Sequence, residues 1–120
     1  MSMIDELKGL GVDVNEGLDR VMGDTSLYEM MLGMFIGSVN DTSITPADFE
    51  ESDLDPLIKK IHMLKGVTGN LAITPLFTTY TEVLGLLRNG QAKEARAGYE
   101  KLVPVQSAIV DCIKRYQAAN

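Results

Sequence analysis

Apolar residues recur at three- and four-residue intervals along nearly the whole chain, and no convincing stretch alternates with a period of two. That pattern predicts helices throughout. A short one covers Met3 to Leu10, and "DVNEGLDRVMG" predicts a second from Asn15 to Met22, closed by Gly23. Asp24 or Thr25 can cap the next, which runs to about Val39 with Leu27, Met30, Met31, Met34 and Phe35 as its apolar stripe. Gly33 and Gly37 lie one turn apart on it, which fits either a close helix approach or exposed positions. After the polar stretch "NDTSITPADFEESD", Asp55 reads as an N-cap with Pro56 at the first helical position, opening a helix to about Ile73. "TP" at Thr74 and Pro75 repeats the start signal, and Gly90 in "RNG" stops that helix. The last helix spans Gln91 to Ala118, with Pro104 expected to kink or interrupt it. Four substantial amphipathic helices joined by short turns predict an all-α protein. The expected architecture is an antiparallel four-helix bundle with a short additional N-terminal helix, as one domain over residues 1–120.

Composition sharpens this picture mainly by exclusion. The 11 basic and 17 acidic side chains give a net charge of −6, which argues against nucleic acid or an anionic membrane as a partner. Cys112 is the single cysteine, so no internal disulfide forms and a reducing compartment is favoured. The start, "MSMIDELKG", lacks the apolar segment of a signal peptide, and "LYEMMLGMFIGSV" is too short and amphipathic to span a bilayer. A cytoplasmic monomer is the expectation.

The candidate chemistry lies in "HMLKGVTGN", residues 62–70, which holds the only histidine. Leu57, Ile61, Leu64, Thr68 and Leu71 form a narrow stripe at about 100° per residue, which places His62 roughly 140° from its centre. Lys59 and Gly66 fall near the opposite pole, with Met63, Gly69 and Asn70 on or beside the outward face. Lys65 lies nearer the flank, one turn beyond His62, close enough for its ammonium to reach the imidazole. A lone exposed histidine is most often a solvated surface residue. The glycines change that weighting, because mid-helix glycine costs roughly 1 kcal/mol relative to alanine and two occur within one turn. Gly66 could be a C-cap, but the continuing Thr68 and Leu71 positions and the fresh start at Thr74 argue against it. Side chains missing beside an outward histidine are better explained by a partner that approaches closely.

Imidazole suits phosphoryl transfer. Its unperturbed pKa of about 6.5 leaves a neutral nucleophile near physiological pH, and the N–P bond it forms is labile enough to pass the group on. A lysine one turn away adds positive charge for the phosphoryl oxygens without closing a pocket around them.

"HMLKGVTGNL" resembles the signature of histidine-containing phosphotransfer domains, the carriers of multistep His–Asp phosphorelays: His-x-Leu-Lys-Gly, small residues, then Gly-Asn and an aliphatic residue. "GVDVNEGLDRVMGDTSLYEMMLGMFI" is similar to the entry of such domains attached to hybrid sensor histidine kinases, so the likeness covers most of the chain. It implies that His62 is phosphorylated at its distal ring nitrogen and that Lys65 steadies the phosphoryl group. Lys59, Met63, Gly66, Gly69 and Asn70 would then form the face on which a response-regulator receiver domain docks. The receiver would supply the phospho-aspartate and Mg²⁺, leaving this chain a carrier with no cofactor of its own and no autonomous kinase activity. One departure is that Ala72 and Ile73 follow "GNL" where such domains usually have glycine and then a small residue.

Competing readings are weaker. Asp48, Glu50, Glu51, Asp53 and Asp55 read as a solvated acidic connection rather than a metal or acid–base cluster. Cys112 reads as a packed residue without zinc-ligand spacing around it. Met30, Met31 and Met34 are most simply core, or in part an adaptable rim for a partner. A module that sequesters receivers without transfer would have no need of His62, Lys65 and Gly66 together, and a carboxylate hydrolase lacks a recognisable site.

Overall fold

The computed structural model describes residues 3–118; Met1 and Ser2 of the opening segment lie outside them. Every regular element among the described residues is helical: α1 (Met3–Gly9), α2 (Val14–Arg20), α3 (Thr25–Asp41), a 3₁₀ turn (Pro46–Glu50), α4 (Asp55–Asn70), α5 (Thr74–Arg88) and α6 (Ala92–Ala118). None of these helices is long and apolar enough to cross a membrane.

Local chemistry sets most boundaries. The Asp13 carboxylate accepts from the Glu16 amide at 3.2 Å to start α2, and Asp24 accepts from the Leu27 amide at 3.0 Å to start α3. Between them Met22 and Gly23 both take left-handed conformations, at φ 57° and 79°. Asp55 is the first residue of α4 rather than its cap. Leu54 holds the cap position, and the Asp55 amide donates instead to Asp53 Oδ1 at 3.1 Å. The sequence carried α4 on to Ile73, but the helix ends at Asn70 and Ala72 turns left-handed at φ 56°. Thr74 likewise opens α5 from inside, with Ile73 at the cap position. Gly90, at φ 76°, ends α5 as its position suggested. α6 continues unbroken through Pro104, whose ring faces solvent.

Two further expectations need correction. The buried face of α3 is Tyr28, Leu32, Phe35 and Ile36, not the stripe through Met30 and Met34, which are 58% and 65% exposed. A helix apolar nearly all round gives periodicity little purchase on which face turns inward. The connection before α4, read as solvated and acidic, also holds a 3₁₀ turn. Phe49 is buried there against Tyr99 of α6, with ring centroids 5.6 Å apart, and anchors the 3₁₀ turn.

α5 packs along both α4 and α6, α3 bridges α4 and α6, and α1 lies on α6. The molecule measures 44 × 25 × 22 Å. Its long axis is about that of a 27-residue helix at roughly 1.5 Å per residue, which is the length of α6. The core gathers Phe35, Ile61, Leu64, Leu76, Tyr80 and Ile113 among others. Its polar members are partnered: the Tyr80 hydroxyl donates to Gln106 Oε1, and the Thr68 hydroxyl bonds back to the Leu64 carbonyl at 2.9 Å.

Candidate functional site

On α4 the segregation predicted from spacing is present. Leu57, Ile61, Leu64, Thr68 and Leu71 are buried, while Lys59, His62, Met63, Gly66 and Asn70 are exposed. Lys65 and Gly69 are half-buried on the flank. The His62 side chain makes no hydrogen bond to another described residue. Thr68 belongs to the buried stripe without penalty because its hydroxyl is satisfied within the helix.

The two glycines behave differently. A Cβ built on Gly66 would meet nothing within 4 Å, so the helix there is bare and open. A Cβ on Gly69 would lie 2.9 Å from two ring carbons of Phe77 in α5. Gly69 therefore lets the α5 ring lie against α4, a packing role that its place on the outward face did not reveal.

The end of α4 is held from outside the helix. Arg20 Nη1 donates to the Gly69 carbonyl at 2.9 Å, the buried Tyr28 hydroxyl to the Leu71 carbonyl at 2.9 Å, and the Asp13 amide to the Ala72 carbonyl at 2.9 Å. Residues 13–28 thus bond three carbonyls at and just past the end of α4, of which Gly69 also accepts from the Ala72 amide at 3.2 Å. Tyr28 reaches its partner by crossing Gly17, where a Cβ would lie 2.5 Å from the ring. Burial pushes the Tyr28 hydroxyl up to about 12, with the Asp13 carboxylate adding to the shift, so it remains a donor.

Concavities flank the helix on both sides near Gly66 and Asn70. One, of about 500 Å³, lies between α2 and α5 and includes Glu16, Arg20, Gly66 and Phe77. The other, about 220 Å³, lies towards α3 and is lined by Met31, Met34, Phe35 and Val67 among others. Spacing within "HMLKGVTGN" could not find Glu16, Arg20, Tyr28 or Phe77, because tertiary packing brings them in. The i,i+4 placement of Glu16 and Arg20 was the one legible signal, and they pair at 2.8 Å.

The remaining candidates stay apart from this face. No group of three or more potential metal ligands occurs among the described residues, so the acidic connection does not gather into a cluster. Cys112 is fully buried, as its packed reading implied. Burial and then a hydrogen bond with the Glu6 carboxylate push its thiol up to about 12. Glu6 is in turn held below the usual carboxylate range by that thiol and by Arg115. No protein-family model, curated protein or solved structure matches the chain.

Proposed function

We propose that this chain is a histidine-containing phosphotransfer domain, with α3 to α6 as its antiparallel four-helix bundle and His62 as the phosphoryl carrier. The observation that carries the reading is the outward His62 on α4 with bare helix at Gly66 one turn away, in open space. A side chain at that point would stand between the imidazole and an approaching protein surface.

The chemistry needs little from the carrier beyond position. The Nε2 lone pair of neutral His62 attacks the phosphorus of a receiver's aspartyl phosphate. The N–P bond forms as the P–O bond to the aspartate breaks, and the carboxylate leaves with the bonding electrons. The Nδ1 proton remains free to exchange with water. Lys65 offsets charge on the phosphoryl oxygens. The receiver supplies Mg²⁺, and the reverse attack by a second receiver's aspartate regenerates neutral His62. Response-regulator receivers and a hybrid sensor histidine kinase are the partners this chemistry requires.

The test is incubation with a phosphorylated receiver domain and Mg²⁺. Transfer gives acid-labile, base-stable phosphate on the chain, and His62→Gln abolishes it. Equal labelling of the His62→Gln variant sinks the reading, and stable receiver binding without any labelling would make the chain a sequestering module instead.

A further inference from the structure

We infer that the concavity between α2 and the end of α4 is a docking subsite for a carboxylate on the receiver's approach face, with Arg20 as the group that recognises it. The subsite presupposes the phosphoryl-carrier reading of His62 and adds a determinant of partner choice to it.

Arg20 stands in the last turn of α2 and is fixed by two hydrogen bonds, Nη1 to the Gly69 carbonyl at 2.9 Å and Nη2 to Glu16 Oε1 at 2.8 Å. A guanidinium carries five N–H donors, so three are left over. Its side chain is 45% exposed and that of Glu16 51%, so the pair is anchored but open to solvent. The bond to Gly69 also places a cation at the negative end of the α4 dipole, which orders the guanidinium before any partner arrives.

Continuity with the His62 face follows from the lining. Gly66 and Asn70, both exposed on that face, also wall the concavity that holds Arg20. A body seated over Gly66 therefore covers the mouth of the concavity. Arg20 is the only cation lining it among the described residues, and Asn70, Thr74 and Thr78 add neutral hydrogen-bonding groups.

The planar fork of arginine matches a carboxylate with two parallel bonds, which selects that occupant over a lone hydroxyl or amide. The chain carries a net charge of −6, so an acidic partner gains no general attraction and depends on a local cation. Glu16 holds one edge of Arg20 and competes with the incoming carboxylate. It therefore disfavours partners whose acidic group is misplaced.

Glu16 and Arg20 form one ion pair, so a purely structural role predicts that removing either has the same sign. The subsite predicts opposite signs. The receiver that labels His62 fastest in the transfer assay serves as the probe, and initial rates are measured against its concentration. Arg20→Ala raises the half-saturating concentration about tenfold with the limiting rate kept, the scale of a lost charged hydrogen bond. Glu16→Gln lowers it about threefold by freeing the guanidinium. Thr78→Trp, which fills the concavity and removes no hydrogen bond, raises it. Circular dichroism melts accompany each variant, and if Arg20→Ala fails to fold, the other two decide. Shifts of the same sign for Arg20→Ala and Glu16→Gln, or an unchanged half-saturation in Thr78→Trp, overturn the subsite. Phosphoramidate, a donor too small to contact Arg20, tests His62 separately. If neither it nor any receiver labels wild-type His62, the carrier reading itself has failed.

Discussion

Replacing Gly66 by alanine should make the protein more stable and a poorer phosphoryl acceptor at once. The site is a helix interior in which an added Cβ meets no atom within 4 Å, so the methyl group introduces no clash. Alanine is favoured over glycine there by about 1 kcal/mol, which for a chain of this size raises the melting temperature by on the order of 3–5 °C. Transfer should move the other way. A methyl group between two closely packed surfaces costs about 1–3 kcal/mol in overpacking, or roughly 5- to 150-fold in transfer efficiency at 1.4 kcal/mol per decade. Gly66→Leu should lose more. Gly69, three residues on, supplies the control. Its Cβ would press on the Phe77 ring at 2.9 Å, so Gly69→Ala should fall below Gly66→Ala in stability by about 1–3 kcal/mol. Urea unfolding followed by circular dichroism gives the stabilities, and labelled-phosphate transfer from a receiver gives the rates. A destabilised Gly66→Ala, or a Gly66→Leu variant that accepts phosphate at the wild-type rate, would refute the reasoning.

Tyr28→Phe strands the Leu71 carbonyl in a buried site and should lower the unfolding free energy by about 1–3 kcal/mol; an unchanged urea midpoint would show that the bond contributes nothing. The Cys112 thiol, pushed from 9.0 up to about 12, is held neutral by the fold. Its contribution is complete below about pH 9 and is lost as pH climbs towards 12, so Cys112→Ala should flatten that alkaline limb of the stability profile. Native protein at pH 8 should resist iodoacetamide, and labelling at the rate of the unfolded chain would contradict the burial.

The parts of this protein that spacing reveals are those where polar and apolar residues separate cleanly. On α4 they do, and the exposure of His62 and Gly66 follows from about 100° per residue alone. On α3 they do not, because methionines cover the outer face as well as the inner one, and the buried stripe was misplaced. The 3₁₀ turn hangs on one aromatic residue, Phe49, within a polar stretch, too little for any period to register. A capping residue located the start of α3, whereas the α4–α5 turn obeys contacts that run between distant parts of the chain.

Ala72 shows how far those contacts reach. The backbone there takes φ 56°, a conformation glycine adopts freely and alanine at a cost of about 1–2 kcal/mol. Such strain persists only where surrounding structure over-determines the backbone. Here the Asp13 amide bonds the Ala72 carbonyl itself, Tyr28 bonds the carbonyl before it, and the Ile73 amide returns to the Thr68 carbonyl at 2.9 Å. The work of holding the turn therefore falls largely to residues 13–28. Those residues also carry Arg20 to Gly69, so the segment that pins the end of α4 lines the edge of the face around His62. The end of α4 is thus stiffened by side chains that no periodicity within the helix could disclose.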